Sequence, residues 1–349
     1  MADAAFASTY HAPVLVAEVL AALAGAHRVL DGTLGGGGHA VALLESDADV
    51  TGLDRDPDAI VAARGRLAEY ARAGRFRAAR GNFADLDAIP EVAGATFDGI
   101  LLDLGVSSHQ IDDEHRGFSF REGAPLDMRM SGRRRRPDGR DPAADGRPLR
   151  APGKTSDGMT AADLLNTASD LELMRIFREY GDEPRASRLA HEISRRRATQ
   201  PFAVSNDLVG AIRAVLGPRS GAPEFARLFQ AVRIAVNHEL DALAQALPVL
   251  RDRLAPGGVF AVIAYHSGED RIIKNAFREW SASCICPPRQ PVCTCRGHAL
   301  GASLHKKAVI ASSDEVARNP RARSAKLRAW RSAGAGEAGE PGSAATTRE

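Results

Sequence analysis

The sequence predicts an α/β fold, one parallel-sheet domain interrupted by a helical insertion. Three observations carry this. From His27 to Phe120, short apolar runs ending in Gly or Asp alternate with Ala-rich stretches that suit helices, the β-α-β-α rhythm of a parallel sheet. Between about 160 and 221, helix signals follow one another with no strand among them. The apolar run 259–264 then resumes the α/β pattern. A chain of 349 residues is long enough for two domains, and 44% hydrophobic with 26% charged side chains is a globular balance, which excludes collagen, coiled coils and disulfide mini-proteins.

In order along the chain, strands are expected near 28–31, 50–53, 75–78 and 98–103. The helix after the second strand starts at Asp56-Pro57, an acidic cap followed by Pro at the first helical position, where its missing donor costs nothing. Residues 133–158 combine Pro, Gly and charge with almost no apolar side chain, so they cannot bury enough surface to order themselves. Thr160 with Asp163 reads as a capping box, Gly181 as a stop, 185–197 as a basic helix, and Ser205 as the cap of a helix ending at Gly217-Pro218. A long helix begins near Pro223, with Phe225, Leu228, Phe229, Val232, Val236, Leu240, Leu243 and Leu247 on one face. The expected organisation is a discontinuous α/β domain over 10–110 and 222–330, an inserted helical domain over 111–221 with a disordered loop near 133–158, and a disordered tail over 332–349.

The net charge is only +2, but Lys occurs five times and Arg supplies the rest of the 46 basic residues. Residues 133–154 carry eight basic and three acidic side chains, and 318–331 carry six basic and no acidic ones. Such patches suit a polyphosphate partner, or else are solvated faces. No apolar run approaches the roughly 20 residues that span a bilayer, and the amino terminus lacks the basic region and apolar core of a secretory signal. A cytoplasmic location without a membrane partner is expected.

The chemistry-bearing residues cluster after the strands. Asp31 closes the first strand and leads into Gly35 to Gly38 and His39, a turn that lets a ligand approach backbone at a helix start. Such turns serve NAD, FAD and S-adenosylmethionine alike. Asp54 ends the second strand 19 residues beyond Gly35, a distance suited to ribose hydroxyls. Phe83 follows the third strand and Asp103 the fourth, so all four loops share the carboxyl edge of one sheet, where open α/β folds bind ligands. Taken singly, Phe83 also reads as a core aromatic and Asp103 as a helix cap.

Several long strings together resemble the RsmH (MraW) family. They include His11-Ala-Pro-Val-Leu15, Asp31-Gly-Thr-Leu-Gly-Gly-Gly-Gly-His39, Asp54-Arg-Asp-Pro57, Gly99-Ile-Leu-Leu-Asp-Leu-Gly-Val-Ser-Ser108, Arg116-Gly-Phe-Ser-Phe120 and Pro125-Leu-Asp-Met-Arg-Met130. Phe229-Gln-Ala-Val-Arg-Ile-Ala-Val-Asn237, Ala255-Pro-Gly-Gly258, His266-Ser-Gly-Glu-Asp-Arg271 and Asn319-Pro-Arg-Ala-Arg-Ser324 extend the resemblance from about residue 10 to 330. It implies a class I, Rossmann-like S-adenosylmethionine-dependent methyltransferase domain interrupted by an inserted helical domain. The implied reaction is methylation of the exocyclic N4 of a cytidine in the decoding region of 16S rRNA within the small ribosomal subunit. By motif, Gly37, Gly38 and His39 would line the cofactor, Asp54 would hold its ribose, Phe83 would flank the adenine, and Asp103 and Gln110 would lie near the methionine end. The sequence departs from the family pattern at Gly268, where Leu is common after His-Ser, in the 133–158 segment and in the tail.

For the amine proton, Asp103, the Leu104 or Gly105 carbonyl, Ser107, Ser108 and His266 all stay open as acceptors. Phe118 and Phe120, set among Arg116 and Arg121, are candidate clamps for an unstacked base or core residues. Cys284-Ile-Cys286 and Cys293-Thr-Cys295 form two C-x-C pairs. Structural zinc, free thiols and oxidised pairs are all compatible with that spacing. No catalytic metal is expected, because the cofactor motifs lie elsewhere.

Overall fold

The computed structural model describes residues 13–107, 111, 113–131, 158–287, 290 and 292–334. The chain divides into two compact units, one of Met1–Gly105 with Leu240–Glu349 and one of Val106–Glu239.

The first unit is built on a mixed sheet. After helix α1 (Val16–Ala22), strands β1 (Arg28–Asp31), β2 (Asp49–Asp54), β3 (Phe76–Arg80) and β4 (Phe97–Asp103) alternate with α2 (Gly38–Glu45), α3 (Pro57–Arg66) and α4 (Ala68–Arg72). The chain returns through α10 (Glu239–Asp252), β5 (Leu254–Ala264) and α11 (Ser267–Trp280), and closes with β6 (Gly301–Ser303), β7 (Val309–Ile310), α12 (Ser313–Arg318) and β8 (Lys326–Ser332). The strand order is β3-β2-β1-β4-β5-β8-β6, with β7 also on β8. β1 to β5 run parallel, and β8 lies antiparallel to β5. The two sheet faces feed two cores: Val29, Leu101, Ala261, Ile263 and Leu327 on one, Leu30, Ile100, Leu102, Phe260, Val262 and Trp330 on the other. Both faces are covered, which is why β4 and β5 read as continuous apolar runs. The expected cap at Asp56 forms, its carboxylate accepting from the Asp58 amide at 3.0 Å with Pro57 opening α3.

The second unit is helical: α5 (Ala161–Thr167), α6 (Asp170–Glu179), α7 (Ala186–Arg197), α8 (Ser205–Leu216) and α9 (Ala222–Asn237). They close on Leu165, Phe177, Leu189, Ile193, Leu208, Phe229 and Val232. The Thr160 capping box with Asp163 forms as expected. Ser205 does not cap its helix. Val204 holds that position, Asp207 accepts from the Ala203 and Val204 amides, and the Ser205 hydroxyl donates to the Arg121 carbonyl.

The long helix expected from Pro223 through Leu247 is two helices. His238 stands between α9 and α10 in the left-handed region at φ 51°. Asn237 accounts for the break: its amide oxygen accepts from the Met130 amide at 2.8 Å, and its amide nitrogen donates to the Met128 and Arg233 carbonyls at 2.7 and 2.9 Å. These buried polar contacts outweigh an unbroken apolar stripe, and α9 falls in the helical unit although 222 was expected to begin the α/β return. The basic run 318–331 is also not a plain surface patch, since 326–332 is strand β8 and Arg328 is tied to Asp270 at 2.7 and 3.2 Å. Most of the 133–158 segment, and the tail from 335 onward, lie outside the described residues.

Candidate functional site

The site begins at the carboxyl ends of β1 and β2. Asp31 is buried and accepts from the Thr33 amide at 3.1 Å. The chain then turns through Gly35 and Gly37, both at positive φ, and enters α2 at Gly38. A β-carbon on Gly37 would lie 3.1 Å from Leu67, and one on Gly38 3.0 Å from Pro13, so both glycines let neighbouring chain close over the helix start. Gly35 keeps open space beside it, and its amide donates to Asp54 Oδ2 at 2.8 Å. Asp54 Oδ1 accepts from the Asp56 amide at 2.8 Å. Each carboxylate oxygen retains a lone pair, so the half-buried Asp54 can still accept from a ligand hydroxyl.

A second group forms where β4 and β5 end. The backbone register pairs Asp103 with Ile263, which carries Tyr265 across to it. The Tyr265 hydroxyl donates to Asp103 Oδ1 at 2.9 Å, and the Asp103 amide donates to Thr33 Oγ1 at 2.6 Å. Asp103 Oδ2 lies 3.4 Å from His39 Nε2, a charge contact without hydrogen-bond geometry. His39 is 5% exposed, and neither ring nitrogen has a hydrogen-bond partner among the described residues. Glu315 joins from α12, where it is buried and accepts from the Leu15 amide at 2.8 Å.

Burial sets the electrostatics. It pushes the Asp31 carboxyl up to about 7, against the pull of His39 and the Thr33 amide. It pushes Asp54 up to about 6, although the Asp56 and Gly35 amides draw it down. Burial pulls the His39 imidazole down, but Asp103, Asp31 and Glu315 outweigh it and hold it above its ordinary value. Burial also carries the Tyr265 hydroxyl well above its usual range, with Asp103 adding to the rise, so it remains a donor. All three shifts at Asp31, Asp54 and His39 are upward, so each favours the proton-bound folded chain, and that stabilisation is lost as pH rises through the folded values. The unliganded chain should therefore lose stability between about pH 4 and 7, which urea unfolding across that range would measure.

Phe83 is half-buried after β3, with its β-carbon 3.3 Å from where one on Gly32 would lie. Gln110 and Ser108 lie outside the described residues. His266 caps α11: its Nδ1 faces the Glu269 amide at 3.4 Å, its Nε2 lies 3.1 Å from Glu269 Oε1, and Glu269 Oε2 accepts from the Tyr265 amide at 2.8 Å. A side chain at Gly268 would sit 3.1 Å from His266 Nδ1 and 3.2 Å from Leu240, so Gly suits this tight cap. In the helical unit, Phe118 packs partly buried against the core, and Phe120 is 36% exposed with edge contacts to Phe225 and Phe229 at 5.9 and 6.1 Å. Sequence reasoning missed Tyr265 and Glu315, which belong to no spacing motif, and gave Thr33 no role although it lies within the Asp31–His39 string. A cavity of about 300 Å³ at the amino ends of the strands, against His27, Asp98 and Gly258, lies away from all these groups.

A family model described as the MraW methylase family matches residues 8–137 and 148–333. A ribosomal RNA small subunit methyltransferase H from Gemmatimonas aurantiaca is 59% identical over 325 residues, covering 93% of this chain and 96% of that one. Its counterpart in Heliobacterium mobile is 45% identical over 331 residues, covering 91% and 97%. The only gap between the matched stretches, 138–147, falls inside the Arg-rich segment without touching any residue of the carboxyl-edge site. With the glycine turn, Asp54 and Asp103 all inside the matched regions, the chain belongs to the MraW methylase family.

Proposed function

We propose that this methyltransferase moves a methyl group from S-adenosylmethionine to the exocyclic N4 of a cytidine in the decoding region of 16S rRNA, with the small ribosomal subunit as substrate and the cytoplasm as the place of reaction. The relatives' shared name, spread over nine-tenths of the chain, supports the rRNA class. Among the described residues no helix is long and apolar enough to cross a membrane. The observation that carries the cofactor reading is the carboxyl-edge cluster: the glycine turn enters α2 at Gly38, Asp54 retains free lone pairs, and His39, whose Nε2 lies 3.4 Å from Asp103, leaves its buried Nδ1 without a hydrogen-bond partner among the described residues.

The residues present fit the cofactor. Gly37, Gly38 and His39 would form the turn that holds it, Asp54 would accept from its ribose hydroxyls, Phe83 would flank the adenine and Asp103 would lie toward the methionine end, where the family resemblance also assigns Gln110, outside the described residues. S-adenosylmethionine supplies an electrophilic methyl carbon on a sulfonium. Transfer would form the N4–carbon bond as the carbon–sulfur bond breaks, and the amine would then release a proton. That proton is acidic, so positioning supplies much of the acceleration and no strong base is required. His266 spends its Nδ1 on the helix cap while its Nε2 makes no hydrogen bond among the described residues, so His266, Asp103, the loop carbonyls at Leu104 and Gly105, Ser107 and Ser108 all stay open to receive the amine protons. The helical unit and the Arg-rich segment provide an rRNA-binding surface.

Labelled methyl transfer to subunits lacking the modification, with naked rRNA and tRNA as controls, tests the reaction. Label should appear in N4-methylcytidine from subunits alone. Label in another nucleoside, or none, would remove the assignment. Asp54 offers a separate test, because ribose hydroxyls donate to the ionised carboxylate. Affinity for S-adenosylhomocysteine should weaken as pH falls below about 6, by up to tenfold per pH unit, and Asp54→Asn should bind weakly with that acid limb flattened. Calorimetric titration between pH 5 and 8 would show it.

A further inference from the structure

The segment between α11 and β6 holds four cysteines that the methyltransferase reading leaves without a task. We propose that Cys284, Cys286, Cys293 and Cys295 bind one zinc ion as a closed tetrathiolate site that fastens this segment. All four sulfurs lie within 4.8 Å of one another. Cys293 Sγ is 3.8 Å from Cys284 and from Cys286 and 3.4 Å from Cys295, and Cys284 and Cys295 are 3.8 Å apart. A tetrahedral ion with Zn–S bonds of about 2.3 Å sets its sulfurs about 3.8 Å apart. Disulfides would require about 2.0 Å, and all four cysteines are free. An iron–sulfur cluster would spread the thiolates over several irons, whereas this convergence fits a single ion.

The surroundings point the same way. The Ile285 amide donates to Cys295 Sγ at 3.3 Å, the backbone-to-sulfur contact that favours a thiolate. Arg296 donates to the Glu279 and Ala282 carbonyls and, through Nε, to the His298 carbonyl at 2.9 Å, which ties the second C-x-C pair to the end of α11. Gln290 bridges to the Val292 carbonyl and Thr294 Oγ1 at 3.0 and 2.7 Å, closing the loop between the pairs. His298 turns its Nδ1 to the Arg296 carbonyl at 2.7 Å and stays out of the group. Among the described residues no apolar core gathers these thiols, since Ile285 and Val292 are 45% and 70% exposed. An ion supplies the cohesion that packing does not.

Binding requires no oxidant or reductant: Zn²⁺ enters, four thiols release their protons to solvent, and four zinc–sulfur bonds form. With four protein ligands there is no open position for substrate or water, so the site is structural. The test is elemental analysis of the full chain, grown with both zinc and iron present and purified without chelator or metal-affinity resin. One zinc per chain is expected, released by a mercurial as four thiols titrate. Exchange with Co²⁺ should give thiolate charge-transfer bands with tetrahedral d–d bands, and Cys293→Ser and Cys295→Ser should each lose the ion with far-UV circular dichroism retained. If the variants do not fold, the unmodified chain's metal content and cobalt spectrum decide. No metal with four freely reactive thiols, iron in place of zinc, or two disulfides by mass would each overturn the proposal.

Discussion

Asp103→Ala should lower methyl transfer by about 10²-fold while the chain stays folded, the scale expected when reacting groups lose their placement. Asp103 closes β4 and holds two neighbours, accepting from the hydroxyl of half-buried Tyr265 at 2.9 Å and facing buried His39 at 3.4 Å. Without the carboxylate Tyr265 loses its hydrogen-bond partner, at about 1–3 kcal/mol for a group left unsatisfied, and His39 loses its facing charge. Tyr265→Phe removes one hydrogen bond alone and should cost about 1 kcal/mol. Two readouts separate this from a purely structural role. Turnover should fall further than affinity for S-adenosylhomocysteine, and the His39 titration seen by NMR should move to lower pH, because Asp103 is the main influence holding it up against burial. Unchanged turnover in Asp103→Ala would remove it from the site.

What the sequence disclosed and what it hid divide along one physical line. Signals confined to a few neighbouring residues were legible: the Asp56-Pro57 helix start, the Thr160 capping box, the glycine turn and four strands, three of them ending in Asp. Features made by contacts across the chain were not. Tyr265 matters because the β4–β5 register sets it against Asp103, 162 residues away, and no local pattern marks that. The His238 break depends on Asn237 reaching Met128 and Met130, over 100 residues distant, while the apolar stripe continues past it. β8 was concealed by its own charges. Lys326, Arg328 and Arg331 made 318–331 look like a cationic surface, yet Leu327 and Ala329 are buried against one core and Trp330 against the other.

That concealed strand sets the second large effect. Trp330→Ala should destabilise the chain by about 3–5 kcal/mol, the range for emptying a buried aromatic site. Trp330 is fully buried, sits 5.3 Å edge-on from Trp280 and 6.4 Å from Phe277, and donates its indole N–H to Ser281 Oγ at 3.1 Å. It also stands in register with Phe260 of β5 on one side and Ser303 of β6 on the other. Gly301 has no side chain because a β-carbon there would come within 2.5 Å of the indole and 2.0 Å of the Arg331 carbonyl. One ring therefore fastens β8 to the sheet, α11 and β6 together, and its loss leaves a cavity bounded by rigid strands that cannot collapse into it. Arg331→Ala, on the exposed neighbour, should change stability by less than about 0.5 kcal/mol. Urea unfolding of both variants measures the contrast. A Trp330→Ala loss below about 1 kcal/mol would mean that backbone pairing holds β8 and the indole only fills space beside it.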